Sequence, residues 1–162
     1  MERKHYNIAV NKYSHLLYGF ALRFLQNSED ARDVVQDTFE KLWIHCDNVE
    51  EGKCKSWLFT CANNAMLNMV ARKRRVVFSS YDNLPEVYGE CDKSFEHKQI
   101  IERVISGLPP IQKSIILLRD LEGYSYDEIG EILKLSSSQV KVYLFRARNK
   151  VRKQLIQLKI AV

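Results

Sequence analysis

Apolar positions recur along this chain at helical spacing, and no segment reads as strand-rich. A first stripe of Tyr13, Leu16, Leu17, Phe20, Ala21 and Phe24 predicts a helix from about Ile8 to Leu25. Asn27 or Ser28 then caps a second helix. It opens with Glu29 and Asp30, where carboxylates favour the helix dipole, and turns Ala31, Val34, Val35, Thr38, Phe39, Leu42 and Trp43 inward. A polar loop from His45 to Lys55 follows. The third helix, from about Ser56 to Arg75, offers Trp57, Leu58, Cys61, Ala62, Ala65, Met66, Met69 and Val70 for packing. Three such amphipathic helices can enclose one small core.

The pattern breaks from Val76 to about Lys93, where Pro85, Gly89 and an excess of acids over bases mark a linker. It resumes with Phe95, Ile100, Ile101, Val104, Ile105 and Leu108 on one stripe, ended by Gly107 and Pro109. Pro110 suits the first position of the next helix, which has Ile111, Ile115, Leu117, Leu118 and Leu121 to bury before Gly123 stops it. Ser125 with Glu128 three residues on is a capping box for a short helix carrying Ile129, Ile132 and Leu133, which ends near Lys134. Ser136 with Gln139 repeats the signal and opens a last helix with Val140, Leu144, Ala147 and Val151 on one face. Two short helices joined by three or four residues have the spacing of a helix-turn-helix. The expected fold is therefore all-α, with seven helices in two small domains. These are residues 1–75 and 94–162, the second holding the helix-turn-helix, joined by a flexible linker at 76–93. Their mutual angle is expected to be fixed only by a partner.

Charge sharpens this picture. The 162 residues carry a formal +5, which favours an anionic partner without choosing between nucleic acid and membrane. From Ser136 onward there are seven Lys/Arg and no Asp or Glu, the field a DNA-reading helix needs to attract phosphates. Arg72, Lys73, Arg74 and Arg75 form a second cluster, suited either to a helix C-terminus or to phosphate. Asp33, Gln36, Asp37, Glu40 and Lys41 line the outer face of the second helix, as a solvated surface or a protein-docking one.

Candidate chemistry adds little. Cys46, Cys54, Cys61 and Cys91 have neither a CxxC pair nor zinc-finger spacing, so reduced thiols are expected and no metal. Phosphate-loop and HExxH patterns are absent, and no local Ser/His/Asp arrangement appears, so neither enzymatic activity nor a cofactor is expected. No apolar run approaches a membrane span and the N-terminus lacks a signal peptide's core, which points to a cytoplasmic protein without membrane insertion.

Three stretches carry a family resemblance: DARDVVQDTFEKLW at Asp30–Trp43, KSWLFTCANNAMLNMVARKRR at Lys55–Arg75, and the long run from Leu108 to Arg148. In order and spacing they resemble bacterial RNA polymerase sigma factors of the extracytoplasmic-function class, in the sigma-70 family. That resemblance implies a promoter-specificity subunit that binds core RNA polymerase and promoter DNA and is held inactive by an anti-sigma partner. It implies that Asp33, Gln36, Asp37 and Glu40 dock on the polymerase. Lys53, Lys55, Asn63, Asn64, Arg72, Lys73, Arg74 and Arg75 would serve the minus-ten element. Ser137, Ser138, Gln139, Lys141, Val142, Arg146 and Arg148 would serve the minus-thirty-five element. Lys141 matches the family's TVK lysine, and Arg146 and Arg148 its RAR arginines. Ser138-Gln139 stands where Gly-Thr is usual and Val142-Tyr143 where Ser-Arg is common, departures that leave the fold and class intact but the recognised sequence open. Gln139 suits an adenine edge and Val142 a thymine methyl, while Gln139 has the rival role of completing the Ser136 cap. A stand-alone DNA-binding regulator is the second reading. It would bind promoter DNA tightly without polymerase, whereas a sigma factor would bind weakly by itself.

Overall fold

The computed structural model describes residues 3–77 and 93–158. Residues 78–92, most of the linker expected at 76–93, lie outside them, as does Lys159 of the basic tail. Among the described residues the chain is helical without strands. Its α-helices are α1 (Arg3–Leu25), α2 (Ser28–Ile44), α3 (Cys54–Val77), α4 (Lys93–Ser106), α5 (Pro110–Ile116), α6 (Tyr126–Leu133) and α7 (Ser137–Gln157). The polar loop between α2 and α3 winds into two short 3-10 turns, Cys46–Asn48 and Glu51–Lys53.

Local chemistry sets the boundaries. Asn27 caps α2 by accepting from the Asp30 amide at 3.0 Å. Pro110 opens α5, where its missing N–H costs nothing. At its far end α5 loosens into a π-helical turn, Leu117–Leu121, closed by the Glu122 amide on the Leu117 carbonyl at 3.0 Å. Gly123, at φ 75°, makes the reversal that follows, a conformation a Cβ would oppose.

In the first half α1, α2 and α3 close around Leu17, Phe20, Phe24, Val34, Leu42, Leu58, Phe59 and Met66. In the second, α5, α6 and α7 close around Ile115, Leu117, Leu118, Ile129, Ile132, Val140 and Leu144. Three expected core positions do not bury, Ile101 of α4 among them at 43% exposed. Trp43 stays 44% exposed, edge-on to Tyr6 at 5.0 Å with the Arg3 guanidinium over its ring. Leu121 stays 51% exposed, because the wider π turn rotates it off the apolar stripe of α5.

The halves also meet directly, an interface the apolar pattern does not announce. Phe59 of α3 packs edge-on against the buried Tyr124 at 5.1 Å, with the Lys55 ammonium over the same ring. The Thr60 hydroxyl shares its proton between Ser56, a turn back, and the carbonyl of Ile132 at 2.9 Å, in the last turn of α6. The Ser114 hydroxyl donates to Asn63 Oδ1 at 2.6 Å, both groups being buried. Lys113, 8% exposed, reaches the Phe24 carbonyl at the end of α1 and lies over the Phe24 ring. Burial and the neighbouring Arg74 lower its pKa. Arg23 pairs with Glu122 at 2.9 Å. Burial raises the Glu122 pKa, against the pull of Arg23.

Candidate nucleic-acid interface

Two capping boxes build the helix-turn-helix. Ser125 Oγ accepts from the Glu128 amide while the Glu128 carboxylate accepts from the Ser125 amide at 2.8 Å, and this backbone donor depresses the Glu128 pKa. Lys134 ends α6 in the left-handed conformation at φ 58°, and Ser136 caps α7 at once. Gly130 makes the turn this tight, since a Cβ there would meet the Leu135 carbonyl oxygen at 2.6 Å. Val140, Leu144 and Ala147 turn α7 into the core, leaving Ser138, Gln139, Lys141, Val142, Phe145 and Arg146 exposed on its outer side.

The residues anticipated for the minus-thirty-five element lie on this helix in different states. Gln139 Oε1 accepts the Ser136 amide at 2.9 Å, so the amide already serves the cap; a bidentate grip on adenine needs both its ends. Ser137 donates to Asp127 at 2.6 Å. Arg148 grips Asp120 with two nitrogens, the nearer at 2.5 Å, and that carboxylate raises its pKa. The Lys141 ammonium hovers over Tyr126, which the Arg119 guanidinium also covers. Phe145, 68% exposed beside Val142, was not anticipated. Its signal in the sequence was an aromatic one turn beyond Lys141, off the stripe of Val140, Leu144 and Ala147.

The residues anticipated for the minus-ten element divide. Lys53, Asn64, Arg72, Arg74 and Arg75 are exposed, with Lys53 near Glu50 at 3.7 Å. Lys73 is ion-paired with Asp30 at the start of α2. Lys55 and Asn63 are drawn into the interface between the halves. Asn63, expected to face DNA, is 4% exposed here, because Ser114 of the other half takes up its carbonyl oxygen. Asp33, Gln36, Asp37 and Glu40 stand exposed on α2 at the spacing of one helical stripe, away from its buried Val34, Thr38 and Leu42.

Comparison with known proteins now bears on this arrangement. Residues 9–76 match the family described as Sigma-70 region 2, and residues 98–151 the family described as Sigma-70, region 4. The ECF RNA polymerase sigma-E factor of Salmonella typhimurium is 30% identical over 93% of this chain and 86% of its own. The chain belongs to the extracytoplasmic-function sigma factors of the sigma-70 family. This sigma factor is also 29% identical to the ECF RNA polymerase sigma factor SigM of Bacillus subtilis, over 86% of the chain and 88% of that protein. Among solved structures, the sigma factor RpoE of Bartonella quintana, crystallised with the anti-sigma factor NepR, superposes with a TM-score of 0.74. It is 27% identical, and the match covers 94% of this chain and 97% of that one. CnrH in complex with the cytosolic domain of CnrY, 22% identical, shares the fold at a TM-score of 0.72 over 96% and 90% of the two chains. As a sigma factor the chain directs promoter-specific transcription initiation by RNA polymerase. Among the described residues no helix is long and apolar enough to cross a membrane.

Proposed function

We propose that α7 enters the major groove at the minus-thirty-five element and that the face of α3 with its preceding loop serves the minus-ten element, while the α2 stripe docks on core polymerase. One observation carries this reading: an outward face of α7 with Lys141, Val142, Phe145 and Arg146 all exposed, on a helix without a single acid. Lys141 and Arg146 supply phosphate attraction. Val142 and Phe145 offer an apolar surface suited to thymine methyls, and Gln139 keeps its Nε2 donor while its oxygen holds the cap. Arg148 acts through Asp120, positioning the helix rather than touching bases. The protein acts in the cytoplasm and performs no catalysis of its own. Its regulator is an anti-sigma factor, which the groove of about 790 Å³ between α1 and α4 would admit; Leu22, Ile101, Ile105 and Leu117 line it.

The test is occupancy of a promoter by reconstituted holoenzyme. Removing Lys141 and Arg146 together should weaken occupancy and reduce the salt slope by about 1.8, near 0.9 for each phosphate contact, with core binding retained. Undiminished occupancy would exclude α7 as the reading helix.

A further inference from the structure

We propose that Tyr126 is a positioning residue for the minus-thirty-five element: its ring holds the Lys141 ammonium on the outer side of α7 without cancelling its charge. The proposal rests on the reading of α7 given above.

The kind of partner each cation has makes the first argument. Arg148 is held by the Asp120 carboxylate, and such an ion pair presents little net charge to a phosphate. Lys141 is held differently. Its Nζ lies 5.8 Å from the centroid of the Tyr126 ring, and among the described residues no carboxylate is within ion-pair distance of it. The acids at the start of α6 are engaged elsewhere, since Asp127 accepts from Ser137 and Glu128 closes the cap. An aromatic face attracts a cation through its quadrupole, which carries no net charge. The ammonium therefore keeps its full charge and its three donors for a phosphate.

What holds the ring makes the second. Tyr126 is the first residue of α6 and half-buried. The Arg119 guanidinium lies over its ring at 4.7 Å and is tied to the Tyr124 carbonyl at 2.8 Å. Arg119 and its neighbour Asp120 both come from the π turn Leu117–Leu121. One wide turn thus supplies the support of Arg148 and the support of the Tyr126 ring, and such turns are frequent at functional sites. Two cations over one ring also repel each other, a cost that a DNA phosphate reaching Lys141 relieves. Finally, fixing the flexible stem of a lysine on binding opposes affinity. Held over the ring, Lys141 has given up part of that freedom before DNA arrives.

The experiment measures promoter occupancy by reconstituted holoenzyme, beside thermal melting of each free chain. Its variants are Tyr126→Leu, Tyr126→Phe, Lys141→Ala and the pair Tyr126→Leu with Lys141→Ala. Tyr126→Leu keeps apolar bulk and removes the quadrupole, so occupancy should fall about three-fold. Tyr126→Phe keeps the ring and should rescue it. In the Lys141→Ala background, Tyr126→Leu should cause no further fall, because the cation it positions is gone. A purely structural role would instead lower the melting temperature and add its loss in both backgrounds. Additive losses would therefore overturn the proposal, as would wild-type occupancy in Tyr126→Leu. A fall as deep in Tyr126→Phe as in Tyr126→Leu would overturn it too, by assigning the effect to the hydroxyl. Unchanged occupancy and an unchanged salt slope in Lys141→Ala would contradict the reading of α7 itself, whatever Tyr126 does.

Discussion

Gln139 shows how one residue can carry two demands. Its oxygen holds the Ser136 amide, so Gln139→Ala should cost about 1 kcal/mol through the lost cap, read as a lower melting temperature. Gln139→Glu keeps an acceptor for the cap but removes the amide donor. We expect it to preserve stability and change the base preference in a promoter-library selection; an unchanged preference would assign Gln139 to the cap alone. Arg148 makes the complementary case. If it works through Asp120, Asp120→Asn should reproduce the effect of Arg148→Ala, each costing no more than about 1 kcal/mol at this exposed site. A much larger loss of promoter binding in Arg148→Ala than in Asp120→Asn would place the guanidinium on DNA. The sequence made the type of each residue legible and also the capping spacing that competes for Gln139. It did not make the Asp120 pairing legible, since 28 residues separate the partners and only the fold joins them.

The helix-turn-helix was the most legible element, because its signals are local: two capping serines and an apolar stripe on each helix. Gly130→Ala should cost about 1–3 kcal/mol, since the added methyl runs into the rigid Leu135 backbone, and thermal melting would measure it. The cap of α6 adds a pH dependence. Glu128 accepts a backbone proton, so its carboxyl titrates below its unfolded value. A depressed acid contributes stability above the unfolded carboxylate range and loses it as pH falls through the lower folded value. Melting followed from neutral pH downward should therefore fall less steeply in Glu128→Gln than in the wild type; parallel curves would show that the cap does not depend on charge. The end of α5 was less legible. Its residues suit an ordinary helix, and only the packing of Leu117 and Leu118 under the Gly123 reversal draws out the π turn that exposes Leu121.

For the whole molecule, the order of helices and their two groupings follow from apolar periodicity, and the promoter-binding role from charge and family likeness. The contact between the halves does not. Thr60, Asn63 and Ser114 are polar, Lys113 is charged and Tyr124 is amphipathic, so the sequence presents them as surface; they bury because each finds its partner across the interface. Asn63 is the residue whose meaning changes most, from a side chain expected to face DNA to one buried between the halves. The central claim, that this chain confers promoter choice on RNA polymerase through both halves, is tested most directly by a selection from a randomised promoter library with the chain alone, core polymerase alone and the two combined. The account predicts that only the combination enriches sequences, with two separated conserved blocks, and that the chain alone binds DNA weakly. Tight, sequence-specific binding by the chain alone, with no association to core polymerase, would contradict it.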